Sequence, residues 1–129
     1  MLIVGVSVFG LSGCQSSEQS SGQSLEDRIV ARWNHFVERD FAAAWDYYSP
    51  GFRQTTSRDE FASDMERRPL RWRGVELIDV SCEGDLCTAK LAITYQALGA
   101  PSGLGRLEVT SQQEERWIRI EGDWWFVTN

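Results

Sequence analysis

The stretch Trp117–Val127, WIRIEGDWWFV, reads as two short β-runs around a glycine turn. Whether the loop is Glu121-Gly122 or Gly122-Asp123, alternation along each strand puts Ile118, Ile120, Trp125 and Val127 on one face and Trp117, Trp124 and Phe126 on the other. A hairpin apolar on both faces has to be covered on both. If helices take one side, the other needs a protein partner or a second copy of the chain, and Trp117, Trp124 and Phe126 are the expected interface.

Working upstream, everything after Arg71 has strand character: WRGVELIDVSC, CTAKLAITYQAL, GRLEVTSQQEERWIRI and DWWFVTN, broken by glycine turns. Before Arg71 the apolar period lengthens. Leu25, Ile29, Trp33, Phe36 and Val37 recur at helical spacing, so the chain predicts an amphipathic helix there. Asp40 can cap a second helix that shares Phe41, Ala44, Trp45 and Tyr48 on one face and stops at Ser49-Pro50-Gly51. Ser57-Arg58-Asp59-Glu60 has the capping-box pattern of a third, with Phe61 and Met65 on one side and Pro69 ending it. The fold class is therefore α+β, with N-terminal helices packed on a mainly antiparallel sheet.

In VSCEGDLCTAK, Cys82 and Cys87 flank a four-residue turn. If they face each other across a hairpin, Val80 opposes Ala89 and Ile78 opposes Leu91, so the register that permits a disulfide also aligns the apolar residues. Closing so short a loop is worth only about 2 kcal/mol. The rival readings are two reduced core thiols or a metal or redox site; the spacing is not C-x-x-C and two sulfurs lack nearby ligand partners.

The helix with Trp33 and Phe36, the segment DFAAAWDYYSPGF, the helix begun by SRDEF and the terminal IEGDWWFV together resemble the nuclear-transport-factor-2-like superfamily across Leu25–Asn129. That resemblance implies helices on a strongly curved sheet that closes into a cone, and it implies fold more than function, because the superfamily holds isomerases and dehydratases beside many non-catalytic binding domains.

The front of the chain has a different character. Residues 1–13 are uncharged, and the apolar run is far short of the roughly 20 residues that span a bilayer. They read as a signal peptide. Leu11-Ser12-Gly13-Cys14 resembles the lipobox of bacterial lipoproteins, which implies cleavage before Cys14, lipidation of that cysteine and, with Gln15 rather than Asp after it, an outer-membrane address facing the periplasm. The run departs from such signals in having no Lys or Arg ahead of it. Residues 14–24 continue as a Ser/Gln tether too polar to offset the entropy of ordering it, and residues 25–129 form the single folded domain.

A domain of about 105 residues builds one core, and the chain's six Trp and six Phe, all but Phe9 inside that domain, give it large units of burial without a cofactor. The net charge of −6 argues against nucleic acid as a partner. The cluster Arg67, Arg68, Arg71 and Arg73 reads as a solvated edge. For catalysis the inward positions are poor in ionisable groups: His35 lies off the apolar stripe and Asp46 at a helix flank, which leaves no catalytic or metal-ligating residue to name. Trp45, Tyr48 and Tyr95 point inward and would line a cone pocket.

Two functions compete on these grounds. One is a non-catalytic, periplasm-facing lipoprotein domain that binds an envelope partner or self-associates through the apolar sheet face. The other is a binder of a small hydrophobic ligand, or an isomerase- or dehydratase-like enzyme, that uses the cone; a filled cone would exclude it.

Overall fold

The computed structural model describes residues 23–99 and 107–128. Cys14, the signal-like residues 1–13 and nearly all of the tether lie outside them.

Three helices begin where the sequence supplies a side-chain cap. The Ser24 hydroxyl accepts from the Asp27 N–H and starts α1 (Leu25–Val37), with Glu26 and Asp27 in the first turn against the positive end of the helix dipole. Asp40 accepts from the Ala43 N–H to start α2 (Phe41–Trp45), and Ser57 accepts from the Glu60 N–H to start α4 (Arg58–Glu66). Between them lies a helix the sequence reading does not contain. Pro50 opens α3 (Pro50–Thr55) instead of ending α2, because proline at the first helical position has no N–H to waste and a φ already set for the helix. Arg39, at φ 60, turns the chain sharply from α1 into α2.

The strands β1 (Leu70–Glu83), β2 (Leu86–Ala97), β3 (Glu108–Ile120) and β4 (Asp123–Val127) form an antiparallel sheet in sequence order. Its first turn pairs Cys82 with Cys87 and Val80 with Ala89, and a disulfide joins the two cysteines. The expected pairing of Ile78 with Leu91 does not form. Leu77 opposes Leu91, Ile78 is squeezed out at a register shift and stands 44% exposed, and a second shift falls at Arg73. Two bulges in one long edge strand bend it, and this is how the sheet acquires its curl. The last hairpin pairs Ile120 with Asp123, so its loop is Glu121-Gly122, with φ of 52 and 86, the mirror-image turn that suits strand twist.

The two faces of the sheet are filled in the opposite sense to the sequence expectation. Trp117 opposes Cys87, and its face carries Cys87, Ala89, Leu91 and Ile93 of β2, all buried beneath the helices. That continuous apolar surface outcompetes the other face, where Thr88, Lys90, Glu114 and Arg116 alternate into solvent. Trp117 is accordingly 0% exposed, Phe126 packs on it at 5.9 Å between ring centroids, and Trp124 is half-buried against the same core. Of the three residues expected at an interface, Trp117 is interior packing, and Trp124 and Phe126 are half-buried on the same inward side of the sheet. The opposite face keeps an apolar end formed by Leu86, Ile118, Ile120 and Trp125.

Residues Tyr47–Ser49 then close the free edge of β4. Phe126 N–H donates to the Tyr47 carbonyl (2.8 Å) and Ser49 N–H to the Phe126 carbonyl (2.9 Å). This strap brings Tyr48 into the cone.

Candidate functional site

The helices and the curled sheet enclose an open cavity of about 630 Å³, within the range of small-molecule sites. Its walls are aromatic: Phe36, Phe52, Phe61, Trp72 and Phe126 line it, with Phe36 and Trp72 edge-on at 4.9 Å. Tyr48 stands between Phe61 (4.8 Å) and Phe126 (4.9 Å). These side chains come from α1, α3, α4, the β4 strap and the ends of the sheet, so only the assembled cone creates the space.

The floor is polar, and the sequence reading missed it. Arg32 on α1 is 4% exposed and Glu115 on β3 is 6% exposed, and they form a buried ion pair at 3.3 Å. Glu115 also accepts from two indoles, Trp33 Nε1 at 3.1 Å and Trp117 Nε1 at 2.9 Å. Arg32 Nη2 donates to the Tyr48 hydroxyl at 2.7 Å, while its guanidinium carbon lies 3.6 Å above the Phe126 ring. Arg32 Nε is shielded from solvent and has no acceptor among the described residues. Such a cluster holds its members in one geometry, because each donor fixes the next. A signal for it was present in the spacing: Arg32 falls three residues after Ile29 and four before Phe36, inside the apolar stripe, and Glu115 shares a strand face with Trp117.

Of the expected pocket residues, Tyr48 lines the cavity. Tyr95 points inward but packs half-buried opposite Trp72 and Val109, outside the cavity wall. Trp45 lies outside it too, its indole N–H on the Thr56 carbonyl (2.9 Å) and its ring under Arg53 and Arg58. His35, off the apolar stripe, is nevertheless half-buried, its ring tilted against Tyr47 at 5.7 Å and its shielded Nδ1 without a hydrogen-bond partner among the described residues; the turn at Arg39 and the short α2 bring the Tyr47 ring beside α1. Asp46 is exposed and paired with Arg58.

The mouth of the cavity is charged. Glu60, Asp64 and Arg68 line it, and Asp64 is bonded to Arg67. At the far edge of β4, Arg28 donates to the Trp124 carbonyl at 2.8 Å and lies over Trp125 and Tyr47. Burial pushes its guanidinium below its ordinary pKa, and Arg53 adds to the effect while Tyr47 and Asp123 oppose it. Among the described residues no group of His, Cys, Asp and Glu is placed to hold a metal ion, and no helix is long and apolar enough to cross a membrane.

Solved structures of similar shape come from several bacteria. A SEC-C motif containing protein from Rhodopseudomonas palustris superposes with a TM-score of 0.63 at 18% identity, over 81% of this chain and 76% of that one. A second SEC-C motif containing protein, from Psychrobacter arcticus, gives 0.59 at 11% identity over 84% of this chain and 63% of that one. A nuclear-transport-factor-2-like transpeptidase from Campylobacter jejuni gives 0.58 at 8% identity, over 83% of this chain and the whole of that one. The fold is theirs. At these identities the likeness is one of architecture, an α+β cone with a curved antiparallel sheet, and it carries no activity across. The sequence matches no protein-family model and none of the curated proteins.

Proposed function

We propose that this domain binds a small, largely apolar molecule in the cone, held in the bacterial envelope by lipid on Cys14. The observation that carries the reading is the open aromatic cavity over a hydrogen-bonded polar floor. A domain built only for packing would close such a space, since each unfilled volume forfeits contacts of the surrounding side chains. The alternative expectation, a partner docked on Trp117, Trp124 and Phe126, loses its support because those residues pack inward. The disulfide between Cys82 and Cys87 supports an oxidising compartment, in keeping with the periplasmic address that the lipobox-like residues imply.

Binding of N-phenyl-1-naphthylamine, an uncharged probe that fluoresces in apolar surroundings, tests the cavity. Saturation with one probe per chain is expected, and Met65→Trp, which puts an indole at the cavity wall, should abolish it while the fold remains intact by circular dichroism. No saturable binding, or equal binding by Met65→Trp, would overturn the reading.

A further inference from the structure

We infer that the cavity selects an uncharged ligand whose leading end is a hydrogen-bond acceptor, and that it discriminates against carboxylates of the same shape. This rests on the cavity being the binding site, and it follows from which groups at the floor are already spent.

The charge at the floor is balanced. Arg32 would be an obvious counter-ion for an anion, but it is already paired with Glu115 at 3.3 Å inside the core. A carboxylate entering the cavity would give up its hydration and find no net positive charge in exchange, the condition under which a buried ion is most costly. The mouth offers none either: Glu60 and Asp64 stand with Arg68 and Arg67, two of each sign.

The donors are not balanced. Both oxygens of Glu115 are occupied, Oε1 by the Trp117 indole and Oε2 by Arg32 and the Trp33 indole. The Tyr48 hydroxyl accepts from Arg32, and its own proton has no acceptor among the described residues. Arg32 Nε is in the same position. What remains unsatisfied at the floor is therefore donor capacity, and a buried donor without a partner is a standing cost that an acceptor relieves. The contact from Arg32 also polarises the Tyr48 O–H and makes it a stronger donor than an isolated phenol. Tyr48 is the group that would meet the ligand, and Arg32 acts through it as a positioning residue. The aromatic walls fit a flat body behind that leading acceptor.

Two probes of nearly equal shape, 2-acetonaphthone and 2-naphthoate, separate charge from fit when titrated calorimetrically into the wild-type protein at neutral pH. The ketone should bind at least tenfold more tightly. Equal affinity, or tighter binding of the carboxylate, would overturn the inference and leave the cavity reading standing, as would binding of N-phenyl-1-naphthylamine alone. Failure of all three compounds would remove the cavity reading and the inference with it. Tyr48→Phe keeps the ring contacts and deletes only the hydroxyl; it should weaken the ketone about threefold to tenfold, the worth of one hydrogen bond, with N-phenyl-1-naphthylamine unchanged. If both compounds weaken together the hydroxyl only supports the fold, and its assigned role in recognition is wrong. The wild-type ratio decides the charge argument even if that variant does not fold.

Discussion

Substituting Glu115 by Gln should unbalance the whole floor of the cone. The variant removes the charge that offsets Arg32, which is 4% exposed, and leaves one amide oxygen where two carboxylate oxygens had received two indoles and a guanidinium. Breaking a buried pair from one side costs about 3–5 kcal/mol, most of it the penalty of the stranded charge. Against a total stability of about 5–15 kcal/mol for a domain of this size, that is a drop in melting temperature of about 15–30 °C. Arg32→Met should cost a similar amount, since Glu115 is then the stranded ion. The double variant removes both charges and should lose no more than either single one, so the cycle yields a coupling of about 3 kcal/mol or more. Urea unfolding followed by circular dichroism measures all four proteins. Single variants within about 1 kcal/mol of wild type, or a coupling below about 0.5 kcal/mol, would show that the pair is hydrated and that the floor is not closed as described.

Three further outcomes are expected. Alkylation and mass measurement should find Cys82 and Cys87 blocked until reduction, and replacing both by Ala should cost about 2 kcal/mol, the entropy of so short a loop; a free thiol at either would remove the bond. Glu121→Asn should stabilise the last hairpin by about 0.5 kcal/mol, because position 121 sits at φ 52, where asparagine is better tolerated, while Gly122→Ala at φ 86 should cost about 1 kcal/mol; a reversed order in melting temperature would refute the turn assignment. Cys14→Ser should shift the protein from the membrane to the soluble fraction of the envelope, and retention in membranes would contradict the lipobox-like reading.

The parts of the fold that were legible are those governed by local chemistry. Asp40 and Ser57 announce helix starts because a hydroxyl or carboxylate there satisfies an N–H that nothing else can reach. The hairpin at Cys82 and Cys87 was readable for a similar reason, since turn residues and alternation fix its register near the turn. Farther along β1 the same alternation fails: the bulge at Ile78 serves sheet curvature, a demand of the whole cone that no window of a few residues contains. Pro50 was ambiguous, as proline ends one helix by the same properties that let it begin another.

The site was less legible because its polar residues contradict the pattern used to find the core. Arg32 and Glu115 occupy positions reserved for apolar side chains, and a charged residue there is discounted unless its partner, 83 positions away, is considered with it. The misassigned sheet face has a related cause. Taken alone, the last hairpin is apolar on both sides, and only its pairing with β2 ranks the faces: Cys87, Ala89, Leu91 and Ile93 side with Trp117.

A crystal structure of the protein soaked with 2-acetonaphthone tests the central claim most directly. The ring system should lie between the aromatic walls of the cone, with the ketone oxygen within hydrogen-bond distance of the Tyr48 hydroxyl. An empty cone, with the compound bound instead at the apolar end of the outer sheet face around Ile118 and Trp125, would contradict it.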